Sequence, residues 1–222
     1  MMMYEGWNTL KRTPGPVTWL LWVVLTTIGG ILGTTIVVSN PNSNSFLNGL
    51  FIWLFLALPF FCVAVGQWLV LCHLVGASGR WLLTAFLGVP FVLPYLLIYG
   101  FSAEFTDGKA LLFGTREFWS ASCSLAVLSL IFGSIVGLVQ GVVITRFGNE
   151  PHRLRRWVIA TAIAWALGFP LGEQFVGSIF WLKPTPFPLT ATWLIEGTKW
   201  GIIGAITGAA LVWLGRAKGN TQ

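Results

Sequence analysis

The side chains best suited to chemistry lie inside otherwise apolar runs: Glu173 and Gln174 in one, Glu196 and Lys199 in another. Glu196 and Lys199 are three residues apart, so on a helix they share a face and can pair. A charge at mid-bilayer costs about 2.5–3.5 kcal/mol even on the lenient insertion scale, so these groups should face protein or water rather than lipid. With Trp193 and Trp200 as candidate walls, they outline a polar pocket in the outer half of the membrane, opening outward. Two readings stand for it: a structural ion-pair cluster, or a site for a small solute, ion or proton. Gln67, Gln140 and Thr207 form a second group, each about two turns before the end of an apolar run. An amide in lipid needs a partner, so these three are expected to make interhelix polar contacts near a common axis, or to line an ion path.

Other chemistry is sparse. The chain has 2 histidines and 7 acidic residues, too few for an ordinary hydrolase or oxidoreductase. No nucleophile elbow, metal triad, P-loop or dinucleotide fingerprint occurs. No metal site and no enzymatic activity are expected. Cofactors are undefined by the sequence. An apolar helical bundle can hold a lipid or a pigment, and His73, near the end of a run, is the one tetrapyrrole-ligand candidate. His152 reads as interfacial, and Cys62, Cys72 and Cys123 read as small buried hydrophobes without C-x-x-C spacing.

The elements that must position these groups follow from composition. Of 222 residues, 55% are hydrophobic and 9% charged, with a mean hydropathy of +0.78, against about 25% charged in a soluble domain. So few charges cannot cover a water-soluble surface, and lipid must be the main solvent. The net charge of +6 sits between apolar runs. It therefore reads as topology signal and contact with anionic headgroups, not as a nucleic-acid surface.

Six spans are expected, at about 17–38, 48–74, 81–101, 118–145, 157–182 and 191–214, with a polar lead at 1–16 and a tail at 215–222. The first follows Lys11 and Arg12, and at its length reads as a retained span rather than a cleaved leader. Residues 102–117 read as an interfacial segment, 146–156 as a basic loop and 183–188 as a stiff, proline-set turn. Pro59, Pro90 and Pro94 predict bent helices. If the N-terminus is cytoplasmic, nine Lys and Arg residues fall on the inner side and three on the outer. Both termini are therefore placed inside. Trp19, Trp22, Trp68, Trp81, Trp119, Trp157, Trp181 and Trp213 cluster near span ends and fit an interfacial belt.

Close helix packing is expected through Gly133, Gly137 and Gly141 on span four, and through Gly197, Gly201, Gly204 and Gly208 on span six. The chain also repeats itself. Gln67-Trp68-Leu69-Val70-Leu71-Cys72-His73 leads to Arg80-Trp81, as Gln140 to Arg146 leads to Arg156-Trp157. Gly204 to Leu211 matches Gly137 to Ile144. Trp19 precedes Gly30 by eleven residues, as Trp157 precedes Gly168. Spans two and three, four and five, and six and one thus read as three parallel helical hairpins. The expected fold is an all-α integral membrane bundle with a pseudo-threefold axis.

These repeated Gln-(Trp)-Leu-Val-Leu and Arg-Trp hairpins resemble small multi-pass membrane proteins common in cyanobacterial genomes. The resemblance covers about residues 64–214. It departs at Cys72-His73, where the group's pattern has an Arg that only the second copy keeps, as Arg146. It implies an architecture and a bacterial inner or thylakoid membrane. The functional expectation is a non-enzymatic accessory or assembly subunit of a larger membrane complex, with lipid and other membrane proteins as partners. The alternative is a small-solute binding or transport subunit using the outer-half pocket.

Overall fold

The structure is a computed structural model that describes residues 14–38, 47–75, 81–82, 115–145, 151–176 and 188–216. The described elements are all helical: α1 (Pro16–Val38), α2 (Leu47–Val75), α3 (Arg116–Thr145), α4 (Pro151–Phe169), a π-helical segment (Pro170–Val176) and α5 (Pro188–Arg216). Among the described residues, five stretches are long and apolar enough to cross a membrane: Pro16–Ile36, Ala57–Leu74, Phe118–Val142, His152–Val176 and Leu189–Gly215. They correspond to expected spans one, two, four, five and six. The expected third span lies outside the described residues beyond Trp81 and Leu82, as do residues 39–46, 102–114, 146–150 and 177–187.

Helix starts differ from the sequence reading in one consistent way. α1, α4 and α5 each open on a proline, Pro16, Pro151 and Pro188, because the first helical position needs no N–H partner and proline's fixed φ suits it. Residues 151–156 are therefore the first turns of α4 rather than loop, and Pro188 begins α5 rather than ending a turn. α3 begins at Arg116, where Thr115 Oγ1 accepts the Phe118 N–H at 3.2 Å, an N-cap that satisfies one orphan donor.

α1 packs against both α2 and α5, α5 against α4, and α4 against α3. The start of α1, the end of α2, the start of α4 and the end of α5 meet in one cluster built on Trp22, Leu71, Leu74, Trp81, Trp157, Leu211 and Leu214. Neighbouring helices therefore alternate in direction, and residues 14 and 215 lie at the same end, where Gly215 abuts Pro14. Trp22 sits at the centre of the cluster with no exposure, edge-on to Trp81 and Trp157 at 6.2 Å each. Trp19 is instead 37% exposed. Its indole N–H reaches Ala205 O at 2.9 Å. The tryptophan of span one that meets Trp157 is Trp22, whereas the eleven-residue spacing singles out Trp19 as the counterpart of Trp157; the two lie three residues apart on α1 and only Trp22 is buried.

Several predicted glycines set the helix contacts. A Cβ at Gly137 would lie 2.9 Å from Thr161 Cβ and 3.0 Å from Val158 Cα, and one at Gly204 would lie 3.1 Å from both Thr26 Cβ and Val23 Cα. Gly141 faces Leu154 and Trp157, while Gly208 faces Trp19 and Trp22. Gly133 faces Trp165, and Trp200 faces Gly30. Gly197 and Gly201 are looser, with neighbours at 3.4 Å and 3.6 Å, so they do not require glycine for contact. Gly29, Gly66, Gly168 and Gly172, which were not among the glycines expected to set helix packing, each bring a Cβ position within 2.7–2.8 Å of a neighbouring backbone oxygen. Large apolar side chains such as Leu20, Val24, Ile28 and Leu32 on α1 point outward, as a lipid-facing stripe should.

Candidate functional site

The three charged residues predicted for the outer pocket are brought together. Glu196 and Lys199 project from one face of α5, and Glu173 reaches them from the π-helical segment. Lys199 Nζ donates to Glu173 Oε1 and to Glu196 Oε1, each at 2.6 Å. The Trp200 indole N–H donates to Glu196 Oε2 at 2.9 Å, and the Lys199 ammonium lies 5.0 Å from the Phe169 ring centre. Side-chain exposure is 6% for Lys199, 10% for Glu173 and 9% for Glu196. The triad is therefore enclosed by protein.

Local sequence explains the geometry. Pro170 has no N–H to continue the α-helical ladder, so the turn loosens there into π geometry. Gly172 then allows the segment to press against α5, since a Cβ there would lie 2.8 Å from both Ile195 O and Lys199 Cβ. That approach places Glu173 beside Lys199.

The other predicted pocket residues divide. Trp200 donates a hydrogen bond to the triad through Glu196. Trp193 is 46% exposed, and its indole N–H binds Thr35 Oγ1 on α1 at 2.9 Å, so it clamps two helices instead of walling the pocket. The hydrogen bonds of Lys199 go to the two glutamates rather than to Gln174, which is half-buried.

Gln67, Gln140 and Thr207, from three different helices, line one cavity of about 30 Å³ together with Thr161 and the aromatic rings of Phe60, Trp165 and Trp200. Gln67 and Thr207 bond to other neighbours. Gln67 Nε2 donates to Thr26 Oγ1 at 3.4 Å. Thr207 Oγ1 accepts the Trp22 indole N–H at 2.9 Å and donates to Ile203 O at 2.7 Å. The rings pack on one another, Phe60 stacked with Trp165 at 5.8 Å and edge-on to Trp200 at 5.6 Å. Sequence reasoning missed Thr26 and the Trp200 to Glu196 bond. The latter was accessible, because residues 196 and 200 are four apart and share a helical face.

His73 lies exposed in the last turn of α2 and His152 exposed in the first turn of α4. Cys62 and Cys72 are half-buried and Cys123 is exposed, none in a disulfide. Among the described residues, no three His, Cys, Asp or Glu side chains gather as metal ligands would. Arg156 stacks over the Trp213 ring at 4.4 Å, which joins the start of α4 to the end of α5. No family model, no curated protein and no solved structure matches this chain.

Proposed function

We propose that the chain is a non-enzymatic, six-span protein of a bacterial inner or thylakoid membrane, with both termini cytoplasmic, serving as an accessory or assembly subunit of a larger membrane complex. The observation that carries this reading is the enclosed Glu173, Lys199 and Glu196 triad. Its charged groups answer one another inside the protein, leaving the described outer faces apolar and suited to lipid and to other membrane helices. Without a hydrophobic force between helices in lipid, such faces associate through packing and polar contacts. Solubilised in mild detergent, the protein should copurify with a larger assembly identified by mass spectrometry, and Glu196→Gln should leave that assembly intact. Recovery as a lone chain from native membranes under the same conditions would overturn the reading.

Three parallel hairpins about a pseudo-threefold axis form the architecture of this proposal. Its support is a correspondence of contacts. Gly137 with Thr161 and Val158 matches Gly204 with Thr26 and Val23, and Gly141 with Leu154 and Trp157 matches Gly208 with Trp19 and Trp22. Gly133 against Trp165 matches Trp200 against Gly30, with the two residue types exchanged between helices. The resemblance to cyanobacterial multi-pass proteins, carried by the hairpins of spans two and three and of spans four and five, is a further support for the membrane assignment.

One observation favours the second reading, a small-solute or ion-binding subunit. With both glutamates ionised, the triad sums to one negative charge, from one Lys and two Glu. A net charge in a low-dielectric interior is costly, and a proton or small cation would neutralise it. Under this reading Glu196→Gln abolishes uptake or ligand-dependent stabilisation; under the first it is tolerated.

A further inference from the structure

The geometry points to the axial cavity as a binding site for water, held on the Gln67 amide. Gln67 is 4% exposed and lines the cavity. Its Nε2 donates to Thr26 Oγ1, but its Oε1 is fully buried without a hydrogen-bond partner. An acceptor left in that state costs the whole desolvation of the group, and lipid offers no donor to relieve it. The remaining polar wall is Gln140, Thr161 and Thr207. Thr161 and Thr207 hydroxyls already donate along their own helices, to Trp157 O at 2.9 Å and Ile203 O at 2.7 Å, so neither can also donate to Gln67.

What the site requires is a small donor that can also accept. Water meets both needs, donating to Gln67 Oε1 and bonding to the Gln140 amide. The size agrees, because a buried water needs roughly 10–15 Å³ of such space and two to four polar partners, and the cavity offers about 30 Å³. A metabolite does not fit that volume. Trp200 connects this site to the ion triad: its ring forms part of the cavity wall while its N–H holds Glu196. The inference stands independently of whether the protein is an assembly subunit or an ion-binding one.

Radiolytic footprinting of the full-length protein in lipid nanodiscs, with ¹⁸O-labelled solvent water, tests it directly. Hydroxyl radicals made from a bound water modify the side chains beside it. Phe60, Trp165 and Trp200 should take up label well above Phe169, which is as buried as Trp165 and Trp200 but lies outside the cavity wall, whereas Phe60 is only partly buried. In Gln67→Met the label at those three rings should be lost, and Gln67→Glu, which keeps an acceptor in place, should retain it. Labelling of the three rings no greater than that of Phe169 in the wild-type protein would overturn the proposal. Undiminished labelling in Gln67→Met would equally remove Gln67 as the group that holds the water.

Discussion

Lys199 is the residue on which the polar interior turns, since two carboxylates share its ammonium. Lys199→Met should cost on the order of 3–5 kcal/mol, because it strands two buried acids. The loss would appear as a lower unfolding midpoint in micelles. Glu196→Gln keeps the Glu173 pair and removes the surplus negative charge. Its cost should therefore stay within about 0.5–1.5 kcal/mol, the worth of an ordinary hydrogen bond. Most of this site was legible in the chain: the three-residue spacing of Glu196 and Lys199 gave one edge, and the rarity of charge drew attention to Glu173. The bend that brings Glu173 into reach was not legible, because a π turn at Pro170 depends on how Gly172 seats against α5. Trp193 was misplaced for a related reason. Its position beside the charged residues says nothing about which face of α5 meets α1, and Thr35 decided it.

At the scale of the helix, contact is set by which glycines meet backbone. Gly137→Val should separate α3 from α4, at about 1–3 kcal/mol for overpacking, whereas Gly201→Ala should be neutral or stabilising by up to about 1 kcal/mol from helix propensity. Unfolding midpoints of the two variants, measured side by side, check the difference. The sequence treats these glycines alike, since G-x-x-x-G spacing marks a face without saying what lies opposite. Their partners separate them: Thr161 and Val158 crowd Gly137, while only the Thr27 hydroxyl approaches Gly201. Helix starts show the same limit. A proline reads as a breaker when seen from the preceding turn and as a first helical residue when seen from the following one, and the structure takes the second sense at Pro16, Pro151 and Pro188.

Across the whole molecule, α1 and α5, the first and last described helices, are neighbours and share an end. Hydropathy made the spans readable because 9% charge leaves long apolar runs little alternative to lipid. The packing of α1 on α5 was readable only through the spacing similarities between spans, which also grouped Gln67, Gln140 and Thr207, now found on one cavity, but singled out Trp19 in span one rather than the buried Trp22. Cysteine labelling from each side of sealed vesicles, in a background without Cys62, Cys72 and Cys123, measures the arrangement most directly. Single cysteines at positions 10, 78, 149 and 219 should react from the cytoplasmic side, and those at 43, 106 and 185 from the opposite side. Ends that label from opposite sides, or positions 78 and 106 that label from the same one, would contradict six crossings.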